Sequence, residues 1–150
     1  MAEIRVENEA HIGAPAERVY GYIADYRQHH PNFLPPAFSD FHVEEGGVGA
    51  GTVVSFLLTT GGRRRSYRLR VSEPQPGEVL QEADTNSSLV TDWIVRPETG
   101  GCRVQIRTHW QGAGGVGGFF ERLFAPRVLR SLYADELQRI DRYAREQEKH

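Results

Sequence analysis

Residues 3–12 alternate in polarity, with Ile4, Val6, Ala10 and Ile12 on one side and Glu3, Arg5, Glu7, Glu9 and His11 on the other. A period of two predicts a half-buried strand. Asn8 falls in the apolar row and reads as a strand-end or cavity-mouth residue. The period then changes. Val19, Tyr22, Ile23 and Tyr26 recur at helical spacing behind Pro15, which is tolerated in a first turn because its missing N–H would have no partner there. Pro31, Pro35 and Pro36 each remove a donor and restrict the preceding residue, so a short second helix or turn and then an irregular loop follow.

From Phe38 to Gln111 the pattern is strand throughout. FSDFHVEE, TVVSFLLTT, SYRLRVSE, VLQEA, SLVTDWIV and CRVQIRTHW follow one another, separated by glycine- or proline-bearing turns. Gly61-Gly62 suits the positive φ angles of a tight hairpin. In SYRLRVSE, Tyr67, Leu69 and Val71 share one face, and Arg68 and Arg70 the other. After Trp110, GAGGVGG predicts a flexible joint. Helical spacing then resumes in two stripes. Val116, Phe119, Phe120, Leu123 and Phe124 precede Pro126, which should kink or interrupt the helix. Leu129, Leu132, Tyr133, Leu137, Ile140 and Tyr143 follow it.

A twisted antiparallel sheet with one apolar face must bury that face, and the C-terminal helix is the large apolar partner on offer. The expected class is α+β: about seven strands curved around one long helix, with two short helices after the first strand. A sheet gripping a single helix need not close tightly, and the space between them is a natural ligand cavity.

Composition narrows the classes. The 150 residues fit one domain spanning 1–150. A formal net charge of −2 gives no pull toward nucleic acid. Cys102 is the single cysteine, so no internal disulfide is available, and the start of the chain lacks the basic and apolar regions of a signal peptide. A reducing, cytoplasmic setting is expected. No apolar run reaches the roughly 20 residues of a membrane span.

Four stretches, covering nearly the whole chain in order, resemble a known family: IGAPAERVYGYIADY, VEEGGVGAGTVVSF, DWIVRPETGGCRVQI and GGVGGFFERLFAPRVLRSLYADELQRIDRYAREQE. The chain resembles the polyketide cyclase/dehydrase and lipid-transport group of the helix-grip (START-like, SRPBCC) superfamily. The resemblance implies a helix-grip fold with an internal cavity. It does not imply one activity, because the superfamily includes aromatase/cyclases, lipid and hormone binders, quinone-binding proteins and co-chaperones.

The ligand expected is a small hydrophobic molecule such as a lipid, isoprenoid or polyketide. Candidate contacts from the strands are Tyr67, Leu69, Thr91 and Trp93, then Val104, Ile106, Thr108 and Trp110. The helical segment adds Phe120, Phe124 and Tyr133. The alternative function is a polyketide cyclase/dehydratase, with Tyr67 and Tyr133 moving protons during aldol closure and dehydration. The resemblance implies an inward arginine and an inward tyrosine for such an enzyme. Arg68, Arg70, Asp92 and Arg96 read as outward, unless a β-bulge reverses their face. A third alternative is a co-chaperone-like interaction module using the GRRRSYR cluster, which otherwise reads as a solvated hairpin tip.

His29, His30 and His42 do not match a structural zinc spacing, and the glycine-rich stretches lack a Walker lysine or a Rossmann context. No metal and no cofactor are expected. A second copy of the chain is the remaining candidate partner.

Overall fold

A computed structural model describes residues 3–111 and 126–149 of the chain. Strand β1 (Glu3–Ile12) leads into helix α1 (Ala16–Ala24) and a 3-10 turn (His30–Phe33). Six strands follow: β2 (Phe38–Glu45), β3 (Val53–Thr60), β4 (Arg63–Gln75), β5 (Val79–Asp84), β6 (Val90–Glu98) and β7 (Gly101–Gln111). Helix α2 (Pro126–Glu148) completes the described residues. The expected pair of short helices is thus one α-helix and one 3-10 turn. Pro126 opens α2, and the apolar stripe expected before it lies outside the described residues.

The seven strands form one antiparallel sheet in the order β1-β7-β6-β5-β4-β3-β2. Every neighbour from β2 to β7 is a sequence neighbour, and β1 returns to pair with β7. The meander needs only short connections. Gly61 and Gly62, at φ 55° and 79°, supply the left-handed pair that a two-residue hairpin requires.

Helix α1 ends at Ala24, two residues before Tyr26, the last apolar position of the helical spacing in this stretch. The chain there is captured by the glycine turn after β2: Asp25 bridges to Val48, and the Tyr26 N–H donates to the Gly47 carbonyl at 2.8 Å. Those tertiary bonds replace the next helical turn and swing Tyr26 under the sheet, where it is 1% exposed.

Helix α2 packs chiefly on β1, with further contacts on α1 and the 3-10 turn. Leu137, Ile140 and Ala144 bury against a core that includes Val6 and Ile12. Asn8 lies in the inward row of β1, as its position in the alternation predicts, and its amide donates to the Arg130 carbonyl of α2. Strand β2 is irregular. The register shifts between Ser39 and His42, and Asp40 adopts φ 52°. One consequence is that Phe38 and Phe41, three residues apart, both reach the concave side.

Candidate functional site

The concave face of the sheet, α2 and the 3-10 turn enclose a hollow. About 70 Å³ of it is open to the centres of water-sized spheres, room for roughly five waters at the usual requirement per molecule. Counted out to solvent at its mouth, the non-atom space is about 780 Å³. Half-buried Leu34, Phe41 and Leu132 line the hollow at partly open positions.

Seven of the sequence-predicted residues meet at this hollow. Tyr67 and Leu69 come from β4, Thr91 and Trp93 from β6, Ile106 and Trp110 from β7, and Tyr133 from α2. Alternation accounts for them: the β6–β7 ladder runs without a shift, so Thr91 faces Thr108 and Trp93 faces Ile106. Val104 and Thr108 are fully buried but do not line the hollow. Val104 packs within the buried hydrophobic core. Thr108 is covered by Tyr133, whose hydroxyl it meets, and it also pairs with Thr91 at 2.7 Å. Phe120 and Phe124 lie outside the described residues.

The outward readings hold in the geometry. The β3–β4 register is unbroken, and Arg68 turns away to pair with Glu44 at 2.9 Å. Asp92 meets Gln81 and Arg107, and Arg96 meets Glu78. Arg65 differs from the solvated hairpin tip expected of its cluster. It shares the parity of Tyr67, stacks over that ring at 4.5 Å and pairs with Asp84 at 3.2 Å. Strand β4 starts earlier than its apolar pattern suggested, which places Arg65 inside the ladder.

Sequence reasoning missed the ionisable groups of the hollow. Glu82 on β5 accepts from the Tyr26 hydroxyl at 2.5 Å and from the Trp93 indole N–H at 3.0 Å. Its signal was present: Leu80, Glu82 and Asp84 share a face, and Leu80 pairs with Trp93. Glu136 on α2 is 2% exposed and lines the same hollow. It lies three residues after Tyr133 and four after Leu132, hence on the same helical face. No hydrogen bond or ion pair reaches it among the described residues.

Burial raises the pKa of both carboxyls. For Glu82 the bonds from Tyr26 and Trp93 oppose the rise. Glu136 has no such relief. Desolvation pushes it well above the ordinary carboxylate range, and the charges of Glu82 and Asp135 push in the same direction. His30, inside the 3-10 turn, stacks on Tyr26 at 4.5 Å and meets the edge of Trp93 at 5.5 Å. Its Nδ1 donates to the Ile23 carbonyl at 2.6 Å, which leaves Nε2 as an acceptor. Burial lowers its pKa to about 4, so it is neutral at physiological pH. His29 turns elsewhere, to the Tyr143 hydroxyl at 2.6 Å.

The arrangement is an aromatic hollow with two carboxyls and a neutral imidazole in its wall. Burial also raises the phenols of Tyr67 and Tyr133, which keeps both protonated at neutral pH. They are neutral hydroxyls there, able to donate or accept a hydrogen bond, and not bases.

Comparison with known proteins places the fold. The solution structure of KanY protein is 36% identical, with a TM-score of 0.85 over 97% of this chain and 99% of that one. The crystal structure of TTHA0849 from Thermus thermophilus is 18% identical, with a TM-score of 0.74 over 94% and 97% of the two chains. The di-domain ARO/CYC StfQ from the steffimycin biosynthetic pathway is 16% identical, with a TM-score of 0.70 over 99% of this chain and 53% of that one. No curated protein matches the sequence. The family model described as polyketide cyclase / dehydrase and lipid transport matches residues 3–145, and the chain belongs to that family.

Proposed function

We propose that this protein binds a small hydrophobic molecule in the hollow between sheet and α2. The observation that carries the reading is a cavity walled mainly by aromatic and aliphatic side chains of the hydrophobic core. Such a space loses dispersion contacts when empty and regains them when an apolar body enters. Membership of a family whose description includes lipid transport supports the same reading.

The cyclase reading is weaker on chemical grounds. It gains Arg65 beside Tyr67, but that guanidinium is engaged by Asp84 and does not line the hollow. The tyrosines assigned to proton transfer have phenols raised by burial, away from the neutral range in which a general base works best.

Binding of the neutral fluorophore N-phenyl-1-naphthylamine tests the proposal. It should bind with enhanced emission, and Leu132→Trp, which fills the partly open wall, should weaken it by about tenfold without lowering the melting temperature. Failure of the fluorophore to bind, or equal binding to the variant, would overturn the reading. Native mass spectrometry of protein from its host then identifies the occupant.

A further inference from the structure

Glu136 is the one carboxyl of the hollow that no described residue satisfies. It is 2% exposed and lines the wall of the cavity. A carboxyl without a partner in such a place stays neutral, or costs several kcal/mol when ionised, so its position in an otherwise apolar helical stripe suits a cationic counterpart that lifts this cost. A hydrocarbon ligand would not supply one. An anionic ligand would add a further negative charge beside Glu82 and Glu136.

The wall is rich in acceptors and poor in cations. Glu82 and His30 Nε2 accept, Glu136 accepts once ionised, and no lysine or arginine lines the hollow among the described residues. Tyr26, Trp93 and Tyr133 add electron-rich ring faces to the lining. Aromatic faces grouped with carboxylates form the surroundings in which an ammonium group is stabilised after losing its water.

We propose that Glu136, with Glu82 beside it, receives the ammonium end of a hydrophobic amine whose apolar body fills the aromatic part of the hollow. The assignment rests on the binding function proposed above and names its ligand class. The bound ammonium would draw Glu136 into its ionised form, its proton passing to solvent or to an amine that enters neutral, and would pair with the carboxylate so formed. Glu82, held by Tyr26 and Trp93, would supply the second negative charge from a fixed position.

Three probes of matched size separate the outcomes: 2-phenylethylamine, 2-phenylethanol and phenylacetate, each titrated into the full chain and followed by two-dimensional NMR. The amine should bind at least about tenfold more tightly than the alcohol, and phenylacetate should bind least. Glu136→Gln should lower amine affinity by about tenfold and leave the alcohol within about twofold. Equal binding of amine and alcohol to the natural protein, or amine binding unchanged in Glu136→Gln, would overturn the assignment while leaving a general hydrophobic site intact. Binding of none of the three would overturn both. The ranking on the natural protein needs no variant, and Glu82→Gln provides a second readout if Glu136→Gln does not fold.

Discussion

The two halves of α2 present similar stripes to different interiors. Leu137, Ile140 and Ala144, in the second half, press on β1 and α1 with no space between. Asp141 accepts from the Gly13 N–H at 2.8 Å, which ties that half to the corner where β1 turns into α1. Leu129, Leu132, Tyr133 and Glu136, in the first half, face the hollow. The spacing is the same, and so is most of the burial. What differs is the opposite wall: a filled core in one case and an open lining in the other. A carboxyl is tolerated in the stripe only where the opposite wall is not packed against it. Burial alone therefore does not distinguish a structural residue from one that waits for a ligand.

The largest effect should come from truncating each half. Ile140→Ala leaves a void that rigid neighbours on β1 cannot fill and should cost about 2–5 kcal/mol. Leu129→Ala adjoins existing space and should cost at least about 1 kcal/mol less, because the wall loses fewer contacts. Urea denaturation of both variants measures the difference. Equal losses would mean that the first half is packed like the second.

Acid should act next. His30 has a folded pKa of about 4 and an ordinary unfolded value of 6.5. Its stabilising contribution is present above pH 6.5 and is lost as pH falls from there toward 4, because the unfolded chain takes up the proton first. The loss should reach about 3 kcal/mol near pH 4. Denaturation of the natural protein and of His30→Gln at about pH 7 and about pH 4 isolates it. A variant as acid-sensitive as the natural protein would show that His30 is not held neutral by burial.

Glu136 should act in the opposite direction and more weakly. Its folded pKa is raised, so the folded state is favoured below pH 4.5 and penalised as pH climbs from there toward the raised value. Glu136→Gln removes that penalty and should raise stability near pH 7 by about 1–2 kcal/mol, roughly 3–6 °C in melting temperature. The gain should vanish by about pH 4. Thermal unfolding across this range checks the sign, and a variant less stable than the natural protein at neutral pH would mean that Glu136 has a structural partner.

The element order was legible because each element carries its own period. Alternation marked β1, β4, β6 and β7, and helical spacing marked α1 and α2. Parity also placed Tyr67, Trp93 and Ile106 inward; the same rule applied to β5, and the three- and four-residue spacing applied to α2, would have placed Glu82 and Glu136 beside them. They escaped notice because a carboxylate in an amphipathic segment ordinarily marks the solvent side. Arg65 escaped for a related reason: a run of three arginines resembles a hairpin tip, and strand pairing with Leu58 carried the ladder past it.

Hydrophobic period and turn chemistry are local properties, so the strand meander, the long helix and the faces that must turn inward were all written along the chain. Where those inward faces meet atoms and where they meet space is a tertiary matter. The β2 bulge that delivers both Phe38 and Phe41, the capture of Tyr26 by the Gly47 turn and the placing of Glu82 and Glu136 in one cavity wall all depend on the curvature of the sheet around α2. Those contacts join residues far apart in the chain, and no local pattern encodes the distance between two walls.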